Sequence, residues 1–298
     1  MTGTAPPAAG TAPRAPIASN DIAVFLVLTA IFTAIAYIPL LAIDPGVSAR
    51  RHYILLLMWS PGVAALLTCR ICGIGLATLG WRWPRGRWMA WGYGLPLLYA
   101  AAAYAVLWLG GFALFAPPEA LDALATSFGW QGAHPAALIA GTLLIKATAG
   151  FIVAASSALG EEIGWRGFLA PRLAGQVGAR GGALILGGIW TLWHVPLLIA
   201  GGYNNGVEPG FALGCFTVLV FAGSIVAMWL RLGSDSLWPC VAWHASHNLF
   251  IQSVFGALVG EKAGVTPYWA GEFGVLAPLA LVVVAVPAYR ALARIDRG

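Results

Sequence analysis

Apolar residues in this chain fall into long blocks separated by short polar stretches, and a block of about 20 such residues is what a helix needs to cross the hydrocarbon core of a bilayer. Eight blocks approach that length: Ile22–Ile43, Tyr53–Cys69, Trp88–Phe112, Pro135–Leu159, Ala183–Ala200, Phe211–Leu230, Leu237–Leu258 and Phe273–Tyr289. They predict an all-α, polytopic membrane helix bundle of about eight transmembrane helices. Pro61, inside the short second block, predicts a kink or tilt there. Glu119–Ser127, between the third and fourth blocks, reads as a short interfacial helix, and no internal repeat is visible. Residues 1–20, rich in Pro, Ala and Thr, are expected to be a disordered tail, residues 21–290 the transmembrane domain, and residues 291–298 a short basic tail. The first block is too long for a signal peptide and only Arg14 precedes it, so it is expected to remain in the mature protein.

Composition agrees. The chain is 60% hydrophobic and 9% charged, with a mean hydropathy of +0.82, whereas a soluble domain carries roughly a quarter charged residues. Counting crossings, one side of the membrane receives Arg14, Arg70, Arg82, Arg85, Arg87, Arg166, Arg172, Arg180, Arg231, Arg290, Arg294 and Arg297, and the other only Arg50, Arg51 and Lys262. Basic residues collect on the cytoplasmic side, so the 12-to-3 split predicts cytoplasmic termini. The net charge of +5 reflects that basic face and implies no nucleic-acid partner. Trp81, Trp83, Trp88, Trp91, Trp238 and Trp243 lie near block ends and read as interfacial anchors. Cys69 and Cys72 form a CxxC with no second pair elsewhere, and are expected to be packing residues.

Ionisable groups within apolar blocks cost several kcal/mol in lipid, which makes each a functional hypothesis. Three groups stand out. In Gly160-Glu161-Glu162-Ile163-Gly164-Trp165-Arg166, placed by the pattern at the cytoplasmic end of the fourth block, Glu162 and Arg166 have the i, i+4 spacing of an ion pair. Glu161 is rotated about 100° away and is left available for chemistry, although a simple helix-end ion pair would give the same pattern. His194 lies deep in the fifth block, one turn after Trp190, and could instead bond a neighbouring helix. In the seventh block His244 and Asn248 share a helix face, with His247 about 60° from it. Polar groups in lipid turn inward, so the three sets are expected to converge on a cavity open to the cytoplasm. A Glu, a His and a His/Asn pair are the parts of a water-activating hydrolase.

At these residues the chain resembles the CAAX protease and bacteriocin-processing family of intramembrane endopeptidases, whose pattern is EExxxR, then FxxxH, then HxxxN or HxxxD. The first is present as Glu161-Glu162…Arg166 and the third as His244…Asn248. The second is present as Trp190…His194, with Trp in place of Phe. The resemblance covers about residues 135–258. It implies an eight-helix fold with a cytosol-facing polar cavity, and makes 21–290 a transmembrane peptidase domain. It also implies Glu161 and His194 as the activators of water and His244 and Asn248 as the oxyanion hole. Glu162, Arg166, Trp190 and His247 are supporting residues, with Arg166 acting through Glu162.

No cofactor is expected. Were a metal used, Glu161, His194 and His244 would be its ligands, with zinc the natural ion, but no HExxH occurs. The expected partners are membrane lipid and a peptide or protein substrate, lipidated or not. Two other readings fit the same residues: a non-catalytic bacteriocin self-immunity or scaffold protein, and a transporter using Lys146, Glu161 and the His residues as a proton relay. The first leaves four polar groups in lipid unexplained, and the second lacks the inverted repeats and paired broken helices of transporters. Lys146 itself is expected to snorkel. Only 2 of the 16 basic residues are Lys, a bias that with abundant Ala and Gly points to a GC-rich bacterial genome and a plasma-membrane location.

Overall fold

The computed structural model describes residues 19–43, 48–204 and 206–297. Its helices are α1 (Ser19–Ala42), α2 (Arg50–Ile71), α3 (Gly86–Leu109), α4 (Pro118–Phe128), α5 (Pro135–Ile145), α6 (Phe151–Glu162), α7 (Ala170–Ala200), α8 (Pro209–Ser234), α9 (Trp238–Asn248), α10 (Thr266–Trp269) and α11 (Leu276–Ile295). Wider π turns at Lys146–Gly150 and Ile163–Leu169 join α5, α6 and α7 without a loop, and another at Leu249–Phe255 prolongs α9. Two short strands, Leu114–Phe115 and Val259–Gly260, pair antiparallel between loops. The expected interfacial helix is α4. Of the expected N-terminal tail, residues 1–18 lie outside the described residues, while Ser19 and Asn20 open α1. The segment expected as a basic tail is helical through Ile295.

Among the described residues six helical runs are long and apolar enough to cross a bilayer. The longest, Pro135–Ala200, breaks at Gly178 (φ 78°, ψ 162°), a backbone conformation open to glycine and costly to residues with a Cβ. It therefore makes two crossings, and α9 with its π extension makes a further one. The result is a polytopic bundle of eight crossings at the predicted blocks.

Two disjoint sets of contacts tie its ends. At the end holding both described termini, Arg172 Nε binds Asp21 at 2.7 Å, Asp296 accepts from the Ala179 amide and from Arg180, Leu237 N donates to Gly80 O, and Trp238 Nε1 donates to Trp81 O. At the opposite end Arg50 donates to Ile43 O and Gly201 O, Lys262 Nζ to Gly111 O, and Thr266 Oγ1 to Phe112 O.

Small residues let membrane helices approach closely, and here they fix the depth of the two acidic residues. A methyl built on Gly164 would stand 2.5 Å from Pro61 Cβ, and one on Gly160 2.7 Å from Trp59 Cγ. The Glu161–Glu162 turn is thus clamped against the middle of α2. Both carboxylates sit at mid-depth, not at a helix end, because the helical path continues past the predicted stop at Leu159 through the π turn into α7. Gly164→Ala must force α2 and the Ile163–Leu169 turn apart, an overpacking cost of about 1–3 kcal/mol. A lowered thermal midpoint in detergent and a lowered activity are the expected readouts.

Three other expectations change. Lys146 does not snorkel: its Nζ donates to Ser253 O at 2.7 Å, within a π turn whose irregular winding leaves a carbonyl to be satisfied. Trp243 is no interfacial anchor, being only 2% exposed and stacked on His247 at 6.0 Å. Cytoplasmic termini and a cytosol-facing cavity also exclude each other, because the cavity described next opens at the end opposite the termini.

Candidate active site

A cavity of about 360 Å³ lies between α2, α7, α8 and α9. Glu161, His194, His244, His247 and Asn248 all line it, as do Trp190 and Trp193, so the three polar groups of the sequence converge on one space. Its outer wall is made by Arg50, Gly201, Gly202, Tyr203, Gln252 and Glu272, which lie at the first turn of α2, beyond α7, in the π turn after α9, and before α11.

Glu161 is buried, and its Oε2 accepts the Trp190 Nε1–H at 2.8 Å and the Trp165 Nε1–H at 3.3 Å. Oε1 takes no hydrogen bond among the described residues and is the oxygen left for a ligand. Glu162 is engaged differently. Its Oε1 receives Arg166 Nη1 at 2.8 Å and His244 Nδ1 at 2.9 Å, and both members of the Glu162–Arg166 pair are fully buried. A cap at a solvated helix end is therefore not what this pair is. The Arg166 guanidinium also lies 4.1 Å from the centre of the Trp190 ring, a cation–π contact.

The imidazoles are oriented by their other nitrogens. His194 Nδ1 is 2.9 Å from Trp190 O. A carbonyl only accepts, so Nδ1 carries the proton and Nε2 keeps its lone pair. His244 gives its Nδ1–H to the Glu162 carboxylate, which leaves Nε2 for a ligand. Trp190 forms the wall common to both, with ring centroids 5.8 Å from His194 and 5.4 Å from His244. Asn248 borders the cavity one turn after His244.

His247 turns away from this set. Its Nδ1 is 2.5 Å from Tyr99 Oη and its Nε2 2.9 Å from Glu272 Oε1. Glu272 accepts in addition from Tyr203 Oη at 2.5 Å and Gln252 Nε2 at 3.1 Å. Burial pushes this loop carboxyl up, but the hydrogen bond and charge of His247, with the bonds from Tyr203 and Gln252, outweigh it and hold the group at about 2. Glu272, Tyr203, Tyr99 and Gln252 escaped the sequence reading. An acidic residue in a loop between blocks looks like any solvated one. Trp165 was within reach, since it stands at i, i+4 from Glu161 as Arg166 does from Glu162.

Oε2 of Glu161 is taken by two indole N–H groups, which leaves Oε1 and the Nε2 atoms of His194 and His244 as the donors a metal would have to use. Among the described residues no three His, Cys, Asp or Glu side chains are gathered as metal ligands. CxxC supplies none either: Cys69 is buried, Cys72 exposed, and both are free.

The departure from FxxxH has a consequence in this geometry, because the indole that replaces the phenyl ring donates to Glu161. Hydrogen bonds to charged groups contribute about 1.5–3 kcal/mol. Trp190→Phe should therefore lower kcat about ten- to a hundredfold with the protein still folded, as measured by steady-state cleavage beside a thermal melt.

No curated protein matches the chain. A family model does: the type II CAAX prenyl endopeptidase Rce1-like model matches residues 143–250. That segment contains Glu161, Trp190, His194, His244 and Asn248, so over it the chain is similar to the type II CAAX prenyl endopeptidases, in agreement with the resemblance carried by its motifs.

Proposed function

We propose that the chain hydrolyses peptide bonds of membrane-associated substrates, using water activated by Glu161 and His194. The observation that supports this most is the division of labour between the adjacent carboxylates: Glu162 is neutralised by Arg166 and His244, while Glu161 keeps one oxygen toward the cavity. A water bound between Glu161 Oε1 and His194 Nε2 gives its proton to Glu161, and the hydroxide attacks the substrate carbonyl carbon. The oxyanion so formed accepts hydrogen bonds from His244 Nε2–H and the Asn248 amide. Collapse breaks the C–N bond, and Glu161 returns the proton to the leaving amine, giving a carboxylate and an amine. Burial of the site removes competing water and strengthens these contacts. No step needs a metal.

The test is cleavage of quenched peptides, prenylated and unprenylated at a C-terminal cysteine, by purified protein in lipid. Wild-type protein should cleave at least one and His194→Ala should not. The same assay with a strong chelator reads metal dependence directly: an activity lost to the chelator and restored by zinc would overturn the metal-free mechanism. Cys69→Ala should leave the rate unchanged, since the thiol lies outside the cavity.

A further inference from the structure

We infer that the catalytic cavity opens on the extracytoplasmic side of the membrane, so that its substrates are peptide segments displayed outside the cytoplasm. Two independent features carry this. The first is which end is open. The outer wall of the cavity (Arg50, Gly202, Tyr203, Gln252, Glu272) belongs to the end remote from both described termini. A second cavity, sharing Tyr203, Gln252 and Glu272 with it, extends among Val259, Glu261 and Thr266 at that same end.

Toward the other end the site is closed. Beneath Glu161 lie Trp165, Arg166, Phe168 and Leu169, all fully buried. Arg231 seals that layer from the side, its Nε donating to Arg166 O at 3.1 Å and its Nη2 to Thr78 O at 3.4 Å. Nothing of the size of a peptide passes that plug.

The second feature is charge. The closed end carries Arg70, Arg82, Arg85, Arg87, Arg172, Arg180, Arg231, Arg290, Arg294 and Arg297 against Asp21, Asp235 and Asp296. Around the open end Arg50, Arg51 and Lys262 face Glu119, Asp122, Glu208, Glu261 and Glu272. Loops rich in Arg stay in the cytoplasm, which puts the plugged end inside and the cavity mouth outside. The sidedness follows from geometry and charge alone; that the molecules entering are substrates rests on the peptidase reading above.

Thiol accessibility separates the two claims. In a variant with Cys69, Cys215 and Cys240 replaced by Ala, the exposed native Cys72 reports on the plugged end. With Cys72 also replaced, Ala263→Cys reports on the open end and Gln252→Cys on the cavity wall. A membrane-impermeant maleimide applied to intact bacterial cells should label Ala263→Cys and Gln252→Cys, and should leave Cys72 unlabelled until the cells are permeabilised. A C-terminal fusion to a phosphatase active only outside the cytoplasm should be inactive, which checks the orientation without any cysteine. Labelling of Cys72 in intact cells, labelling of Ala263→Cys only after permeabilisation, or an active phosphatase fusion overturns the inference. These readouts need no catalysis, so a protein with this orientation and no peptidase activity would sink the proposed function and leave the sidedness standing.

Discussion

Glu161→Gln is expected to slow peptide hydrolysis by about a thousandfold, the middle of the range for loss of a positioned general base, while the protein stays as stable as wild type. Glutamine has the same shape, and its carbonyl oxygen can keep the 2.8 Å bond from Trp190. What it cannot do is take a proton from water. Stability should not suffer, because the native carboxylate is buried with only two neutral indole donors, and removing a charge so placed relieves desolvation. His194→Ala should fall in the same activity class. Asn248→Ala should cost about 10²–10³ if the amide serves the oxyanion. Turnover by Glu161→Gln at the wild-type rate, in protein of unchanged melting behaviour, would sink the assignment of Glu161 as base.

The crossings and the polar constellation were legible because lipid makes them so. An apolar block of the right length has few alternatives, and a His or Glu inside one has few reasons to be there. The i, i+4 relation of Glu162 and Arg166 survived into the structure even though a π turn begins between them at Ile163. Depth and direction were not legible. The sequence pattern ends the fourth block at Leu159, since charged residues normally close a membrane helix. Here Arg166 is held by Glu162 and Trp190, and the helix runs on to Gly178. That difference moves Glu161 away from the helix end where the pattern put it. Glu272 was invisible for a related reason: its burial depends on His247 and Gln252 from α9 and its extension and on Tyr203 beyond α7, which no local pattern joins.

Arg166→Leu is expected to have the largest effect on stability, and it distinguishes the two carboxylates from the opposite direction. Both members of the Glu162–Arg166 pair are fully buried, and removing one partner of such a pair leaves an uncompensated charge, at a cost of about 3–5 kcal/mol. His244, the other group on Glu162 Oε1, offsets part of this only by holding its proton. The double variant Glu162→Gln/Arg166→Leu strands no charge and should recover most of the lost thermal stability. Activity should not return with it. His244 loses the carboxylate that fixes its Nδ1, and Trp190 loses the guanidinium stacked on its face, so the oxyanion donor and the wall behind Glu161 are both disturbed. A double variant as unstable as Arg166→Leu alone would mean that packing of the guanidinium, not the stranded carboxylate, sets the cost. Recovery of activity together with stability would mean that Glu162 and Arg166 serve the fold and have no part in orienting His244.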